Sequence, residues 1–340
     1  MARRPVPARR KLAYAVAATF AFFAIAEVAS RVFVAASSSP RWHHLEKLVD
    51  TIGFPELNTI LEPDPDRFWR LAANVEPRRL TGEVADSGPL SFRVSTDADG
   101  HRRTPAVPEA VRTVLFLGDS CTFGIGVDDE QAFAALLQGR LPGTRSINAG
   151  VPGYSSFQGL ALLRSMPALP APAATVVSFQ FNDDAHWDDR SDLEHAAALR
   201  GIVPALTRHS RFVGLLATLL AAEPERRPEE PQLRRTRLSD AEYEAQVRAI
   251  VALCRERGSI PVLMIWPTRA QVTYGERIAK QEMMRRVALE LDVALVDLVP
   301  IFCAAARAGR PLHIDVVHCN REGHEAVARA LAPVLQEVMR

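Results

Sequence analysis

Short apolar runs alternate with amphipathic stretches over the last two thirds of the chain. The five runs cover 114–117, 147–150, 175–181, 261–266 and 293–298. A continuous apolar run of this length is typical of a strand that is buried on both faces of a sheet. Between and after the runs, apolar residues recur at helical spacing over 131–140, 156–166, 240–257, 276–291 and 322–340. The alternation predicts an α/β fold in which a parallel sheet carries helices on both faces.

A long apolar segment near the start of the chain predicts a membrane signal. Residues 12–26 are apolar apart from Thr19, and the apolar run resumes at 32–36 after Glu27 and Arg31. A helix over the whole stretch is long enough to cross a bilayer, which takes about 20 residues. Glu27 and Arg31 share one helical face, where they can pair or reach the membrane interface.

Basic residues precede this segment, and they predict its orientation. They are Arg3, Arg4, Arg9, Arg10 and Lys11. Such a cluster stays in the cytoplasm, so we expect the body of the protein to lie on the other side of the membrane.

A cleavable signal peptide is the main alternative to a membrane anchor. Residues 24–26 are Ala-Ile-Ala, which supplies the small residues of a cleavage site. Both interpretations place the body outside the cytoplasm. The apolar residues beyond Ala26 favour the anchor. The basic cluster argues against a third alternative, a buried amphipathic helix.

The composition describes a globular chain with a basic tip. Of the 340 residues, 48% are hydrophobic and 24% are charged, and the net charge is +1. Because five positive charges precede residue 12, the remainder is mildly acidic, which argues against nucleic acid as a partner. The four cysteines form no CxxC pair, so we predict neither a disulfide scaffold nor a zinc site.

Composition also predicts the organisation of the chain. Residues 1–36 hold the basic tip and the transmembrane or signal segment, 37–111 form a stalk with an irregular extension, and 112–340 form the α/β domain. Within that domain, 188–238 is predicted to be an insertion, because 223–237 holds three prolines among charges of both signs. Such a segment forms a lid over a site or a solvated loop.

Polar residues with catalytic chemistry follow the predicted strands. Ser120 follows the first strand, Gly153 the second and Asn182 the third, while Asp315 and His318 lie on a late loop after the fifth. Ligands of open parallel sheets bind beyond the carboxyl ends of the strands, where these residues would meet. The sequence therefore predicts a site at that edge of the sheet.

A serine hydroxyl needs a base to become a nucleophile, and His318 can serve as that base for Ser120. Asp315 can bond the other ring nitrogen and fix the tautomer. The backbone N–H groups of Ser120 and Gly153 and the side-chain amide of Asn182 can stabilise an oxyanion. This chemistry needs no cofactor.

A metal site is a less favoured interpretation of four residues late in the chain, His313, Asp315, His318 and His324. The spacing of these residues matches no common metal-binding motif.

These residues resemble the SGNH hydrolase family, also called GDSL esterases and lipases, in its membrane-anchored bacterial form. The matching blocks stand in order over about 112–340: Gly118-Asp119-Ser120, Gly153, Asn182-Asp183 and Asp315-x-x-His318. The resemblance implies a flavodoxin-like, three-layer α/β/α fold, ester hydrolysis by a Ser-His-Asp triad and a catalytic domain on the periplasmic side. Two positions depart from the pattern. Gln180 stands where the family has glycine, and Cys121 stands where it has a large apolar residue.

Three functions remain open at the level of sequence. The first is a serine esterase of the cell envelope that hydrolyses acyl esters, acetyl esters among them. The second is an O-acyltransferase that uses the same triad on envelope glycans, since exclusion of water decides between the two. The third is a non-catalytic glycan-binding module. The expected partners are a small-molecule, glycan or lipid ester and the membrane.

Cys121 and Cys319 each directly follow a predicted triad residue. Because the serine and histidine must come within about 3 Å of each other, we expect these two cysteines to be near neighbours. An oxidising compartment allows a disulfide between them. Two free buried thiols are the alternative, since cysteine is a common core residue.

Overall fold

The computed structural model describes residues 7–36, 54–64, 66–84, 87–167, 170–186, 191–198, 206, 210–220 and 236–340. The helices are α1 (Ala8–Ala36), α2 (Ser120–Phe123), α3 (Phe133–Gln138), α4 (Ser156–Ser165), α5 (Asp192–Ala198), α6 (Arg211–Leu220), α7 (Asp240–Glu256), α8 (Arg269–Tyr274), α9 (Ala279–Glu290), α10 (Val299–Arg307) and α11 (Arg321–Val338). The strands are β1 (Leu61–Asp64), β2 (Phe68–Leu71), β3 (Arg78–Val84), β4 (Gly88–Val94), β5 (Arg112–Gly118), β6 (Thr144–Gly150), β7 (Ala174–Ser178), β8 (Ile260–Ile265) and β9 (Ala294–Asp297).

The chain divides into two compact units. One comprises Met1–Leu48 and Ala197–Gln232, and the other comprises Val49–Ala196 and Leu233–Arg340. The larger unit contains a five-stranded sheet in the order β6-β5-β7-β8-β9, with every neighbouring pair parallel. This is the flavodoxin-like order, in which the chain reverses direction across the sheet beside the first strand, β5. The predicted fold class is confirmed.

Register aligns the ends of the three strands that precede the predicted site. Gly118 of β5 lies opposite Gly150 of β6 and opposite Ser178 of β7. Because these strands are parallel and end at one level, the loops that follow them meet at the same edge of the sheet. The sheet therefore places the predicted nucleophile loop between the two predicted oxyanion loops.

Side chains alternate between the two faces of the sheet, so the core is divided between two helical layers. Val114 and Phe116 of β5 pack in one apolar cluster with residues of α3 and α11, among them Phe133 and Leu331. Successive strand residues point to opposite faces, so Leu115 and its neighbours face the other layer. There α7 contacts both α4 and α9, and all three helices contact the sheet.

The extension before the sheet is folded and belongs to the larger unit. A short 3₁₀ helix (Pro55–Ile60) precedes two antiparallel hairpins, β1–β2 and β3–β4. Trp69 and Phe92 are buried, and Arg102 forms a bridge to Asn148 of β6. The compact unit begins at Val49, well before the predicted boundary at 112. Residues 37–53 of the predicted stalk lie outside the described residues.

The smaller unit pairs α1 with part of the predicted insertion. The span Ala8–Val34 is long and apolar enough to cross a membrane, although a signal sequence near the amino terminus passes the same test. Glu27 and Arg31 form the expected ion pair at 2.8 Å. Helix α6 packs on α1. Of the predicted insertion 188–238, residues 191–198, 206, 210–220 and 236–238 are described, and the remainder lies outside the described residues.

Candidate active site

The nucleophile loop is a tight strand-to-helix turn. Ser120 begins α2 directly after β5, and Asp119 caps the helix by accepting the backbone N–H of Cys121 at 2.9 Å. A Cβ on Gly118 would come within 2.0 Å of the Thr122 hydroxyl, so only glycine fits there. Ser120 is buried at 7% exposure. The turn thus holds its side chain at the carboxyl edge of the sheet.

The structure brings Ser120, His318 and Asp315 into one hydrogen-bonded row. The Oγ of Ser120 lies 2.9 Å from Nε2 of His318, and Nδ1 of His318 lies 2.6 Å from Oδ2 of Asp315. Side-chain exposure is 17% for His318 and 24% for Asp315, so the row remains accessible from solvent. This is the connectivity that proton transfer from a serine nucleophile requires.

Asp315 is held as a carboxylate. Burial acts to raise its pKa, but the hydrogen bond and charge of His318 outweigh burial. The backbone N–H groups of Val317 and His318, which Asp315 accepts at 2.8 and 2.7 Å, act in the same direction. Together they lower the pKa of Asp315 to about 2. The carboxylate therefore stays negative across neutral pH, where it can orient the imidazole.

The residues after β8 hold the loop that carries the aspartate and histidine. The indole N–H of Trp266 donates to the carbonyl of Val317 at 2.8 Å, and the backbone N–H of Arg269 donates to the carbonyl of Val316 at 2.8 Å. The carbonyls of both residues between Asp315 and His318 thus accept hydrogen bonds from outside the loop. These bonds help to fix the distance between Asp315 and His318.

Asn182 contacts both the nucleophile loop and the Gly153 loop. Its side-chain amide donates to the carbonyl of Tyr154 at 3.0 Å and to Oδ2 of Asp119 at 3.3 Å. Gly153 has a φ of 79°, which favours glycine. The three loops predicted to supply oxyanion donors are thus in mutual contact.

The acidic neighbours of the site residues are buried and structural in their contacts. Asp183 accepts the backbone N–H and the hydroxyl of Ser156, at 2.9 and 2.6 Å, and so fixes the start of α4. Burial raises the pKa of Asp119 and of Asp183 to about 6 in each case. Asp119, through its bond to the backbone N–H of Cys121, likewise holds the nucleophile loop.

The two departures from the family pattern are accommodated by packing. Gln180 is buried and donates its side-chain amide to the carbonyl of Trp266, so it links the end of β7 to the end of β8. Cys121 and Cys319 are both free and buried. Burial raises the pKa of both thiols well above the usual range. Of the two alternatives left open for this pair, the structure contains the free thiols.

The late histidines have separate environments. His313 lies 3.0 Å from the carbonyl of Pro267, and buried His324 accepts the backbone N–H of Phe133 at 3.3 Å and stacks on its ring. Burial lowers the pKa of His324 to about 3. In the described part of the chain, a group with metal-ligand spacing lies instead in the extension, at Asp97, Asp99 and His101. There Oδ1 of Asp97 accepts the backbone N–H groups of the other two, which closes a turn.

Sequence reasoning missed three buried residues that support the site loops. Arg102 donates to the carbonyls of Phe123 and Gly124, both at 2.6 Å, at the end of the nucleophile helix α2. Trp69 donates to the carbonyl of Pro152, and Arg237 donates to the carbonyl of Gly153. The last two contacts join residues 83 and 84 positions apart in the chain. No local pattern could have indicated them.

Comparisons with known proteins point to one family. The sequence profile of the GDSL-like Lipase/Acylhydrolase family matches residues 116–326. Esterase TesA of Pseudomonas aeruginosa is 35% identical over 100 residues, which cover 28% of this chain and 43% of the relative. The chain thus matches less than half the length of that curated relative.

Solved structures with a similar arrangement include two named esterases. An acetylxylan esterase of Geobacillus stearothermophilus, Axe2, shares 18% identity at a TM-score of 0.45, covering 66% of this chain and 94% of its own. The crystal structure of TesA shares 21% identity at a TM-score of 0.45, covering 67% and 99% respectively. The family profile spans more than half of the chain, including the nucleophile loop and the aspartate–histidine loop. The chain therefore belongs to the GDSL-like lipase/acylhydrolase family, a family of ester-bond hydrolases.

Proposed function

We propose that the protein is a serine esterase of the cell envelope that hydrolyses acyl esters, acetyl esters among them. The observation that carries this proposal is the continuous row from Ser120 Oγ through His318 to Asp315, with separations of 2.9 and 2.6 Å. Two loops with oxyanion donors adjoin the nucleophile loop. A binding module has no need of a base aligned on a serine.

The geometry supports a two-step acyl transfer. The hydroxyl of Ser120 attacks the ester carbonyl as its proton passes to Nε2 of His318, and Asp315 stabilises the imidazolium through Nδ1. The tetrahedral intermediate collapses to an acyl-serine, and the alcohol leaves with the proton from His318. Water then attacks the acyl-serine with His318 again as base, which releases the acid and restores the hydroxyl. Donors from Ser120, Gly153 and Asn182 stabilise the oxyanion in both steps.

Turnover of ester substrates tests the proposal. We expect the purified full chain to hydrolyse acyl esters in a panel running from acetyl to long-chain, and we expect Ser120→Ala to abolish that activity without loss of folding. Ser259→Ala is a matched control, because Ser259 is a buried serine that bonds Thr175 at the amino end of the sheet. Including sugar acceptors in the assay detects acyl transfer in place of hydrolysis. Wild-type activity in Ser120→Ala would reject the proposal.

We also propose that α1 is retained as a membrane anchor. Helix α6 has specific contacts on α1 at both sides of the predicted cleavage point. Phe212 packs edge-on against Phe22 and Phe23, with ring centroids 6.4 and 6.2 Å apart. Glu27 accepts the hydroxyl of Ser210 at 2.7 Å and the backbone N–H groups that begin α6, those of Arg211 and Phe212, at 3.0 and 3.1 Å.

These contacts favour the anchor over the cleaved signal peptide. Cleavage after Ala26 would remove both phenylalanines that pack on Phe212. A carboxylate at a helix amino terminus is stabilising, because it satisfies N–H groups that lack partners within the helix. The same contacts explain how a charged residue is accommodated within an apolar segment.

A further inference from the structure

The loop that carries Gly153 is a β-turn whose central peptide has two possible orientations. The N–H of Tyr154 donates to the carbonyl of Val151 at 3.2 Å, which places Pro152 and Gly153 at the two central positions. The φ of 79° at Gly153 identifies a type II turn. A type I turn has the same ends and also accepts proline at its first central position, but its central peptide is rotated by about half a turn.

The orientation of that peptide decides where the N–H of Gly153 points. The peptide between Pro152 and Gly153 is planar and trans, so its carbonyl and its N–H point in opposite directions. In the type II form the N–H takes one direction, and in the type I form it takes the other. An oxyanion donor at Gly153 is therefore present in one form and absent in the other.

Trp69 bonds the carbonyl of this same peptide. Its indole N–H donates to the carbonyl oxygen of Pro152 at 3.0 Å in a buried setting, and Trp69 is itself only 3% exposed. The hydroxyl of Tyr154 donates back to the carbonyl of Trp69 at 2.6 Å. A flip of the peptide would leave the buried carbonyl of Pro152 without this donor, so the flipped form is disfavoured.

Arg237 supports the next peptide of the turn. Its guanidinium donates to the carbonyl of Gly153 at 2.6 Å and pairs with buried Asp192 at 2.9 Å. It also lies 5.7 Å from the ring of Trp69. The two successive carbonyls of the turn are thus held by side chains from separate parts of the chain.

We propose that Trp69 is a positioning residue that holds the Gly153 N–H in the oxyanion-binding orientation. The indole fixes the carbonyl of Pro152, and the rigid peptide transmits that constraint to the N–H on its other side. A donor on the carbonyl also polarises the peptide, which strengthens its N–H as a donor. This inference rests on the proposed esterase function, and it assigns a catalytic purpose to the β1–β2 hairpin.

Trp69→Phe tests the inference because it keeps an aromatic ring and removes the N–H. We expect kcat to fall about tenfold while KM stays near the wild-type value, because the lost contact acts in the transition state. Complete loss of an oxyanion donor costs about 10²–10³, and a turn that populates both orientations loses less. The affinity for an alkyl boronic acid, which forms a tetrahedral adduct with the serine, should fall by the same factor as kcat/KM.

Two further variants separate positioning from general destabilisation. Thr175→Val removes a buried hydrogen bond of 2.8 Å to Ser259 at the far end of the sheet, and we expect it to lower thermal stability with kcat unchanged. Replacing Trp69 with 3-benzothienylalanine preserves the shape of the side chain and lacks the N–H, so it should reproduce the kcat defect even if Trp69→Phe folds poorly. Wild-type kcat in the benzothienyl protein would overturn the inference.

Crystal structures provide a readout that does not depend on turnover. We expect the Pro152–Gly153 peptide to rotate, wholly or in part, in the Trp69 variants and to keep its orientation in Thr175→Val. An unrotated peptide in both Trp69 variants would overturn the inference. Absence of ester turnover in the wild type would instead contradict the proposed function, and the orientation of the peptide would still decide whether Trp69 holds Gly153.

Discussion

The side-chain amide of Asn182 donates to two acceptors, the carbonyl of Tyr154 and the carboxyl group of Asp119. The contact to Asp119, at 3.3 Å, is the longer of the two, so it is the one that an oxyanion can replace most easily. We expect Asn182→Ala to lower kcat by about 10²–10³ and to change KM much less, since the new bond forms mainly in the transition state. Steady-state kinetics with a short acyl ester would check this. An effect confined to KM would mean that Asn182 only binds substrate.

Asp183 makes stability depend on pH in a direction set by its burial. Burial raises its pKa from the ordinary 3.8 to about 6, against the opposing hydrogen bonds from Ser156. The folded protein therefore binds the proton more tightly than the unfolded chain does. Its stabilising contribution is complete below pH 3.8 and is lost as pH rises through 6.

Asp183→Asn removes this titration while keeping the shape of the side chain. Between pH 4 and pH 7 we expect the stability of the variant, relative to wild type, to improve by on the order of 2 kcal/mol. Asp119 titrates in the same range in both proteins, so its contribution cancels. Unfolding of the detergent-solubilised chains at several pH values measures the difference. A stability difference between variant and wild type that does not change with pH would contradict the raised pKa of Asp183.

At the scale of elements, the pairing of α1 with α6 predicts that the amino terminus is retained. Intact-mass measurement of the protein from membranes should give the full chain, and a cleaved signal peptide would instead give a chain that begins at Glu27. Glu27→Gln should weaken the docking of α6, because the amide accepts fewer of the N–H groups that the carboxylate binds. Disulfide cross-linking between Phe22→Cys and Phe212→Cys monitors that docking. A cross-linking yield unaffected by Glu27→Gln would contradict the role of Glu27 at the amino terminus of α6.

The same helix predicts on which side of the membrane the catalytic unit lies. The basic residues before α1 and in its first turn predict that this end of the helix lies in the cytoplasm. An alkaline phosphatase fused to the carboxyl terminus should therefore be active, because that enzyme requires export. Fluorescence from a reporter that folds only in the cytoplasm would show the opposite orientation.

Elements with a local signal could be predicted from sequence, and elements held by distant contacts could not. Each of the five apolar runs is a strand of the central sheet, because burial on both faces leaves a continuous hydrophobic record in the sequence. The β1–β4 hairpins leave no such record, since their strands mix buried with exposed positions. Helix α6 lies within a segment that the sequence predicts to be a lid or a loop. Its partner α1 is distant along the chain, since the contacting residues Glu27 and Ser210 are 183 positions apart.

At the scale of the whole molecule, a similar division runs through the site. Ser120, Gly153, Asn182, Asp315 and His318 could be proposed from sequence, because each follows a strand or lies in a short motif, and hydrogen bonds in the structure join the loops that carry them. Trp69, Arg102 and Arg237 could not be found, because their importance lies in backbone carbonyls that only the folded chain brings within reach. The candidate site residues thus lie in local sequence patterns, whereas the residues that support their loops are identified only by tertiary contacts.

The central claim is that Ser120 is a nucleophile activated by His318 and Asp315. A fluorophosphonate probe tests it most directly, because the probe forms a covalent bond only with a serine whose hydroxyl is activated. After reaction of the full chain and proteolysis, mass spectrometry should locate the adduct on Ser120. The adduct should be absent from Ser120→Ala and form far more slowly in His318→Ala. An unlabelled wild-type protein, or an adduct on another residue that persists in Ser120→Ala, would contradict the account.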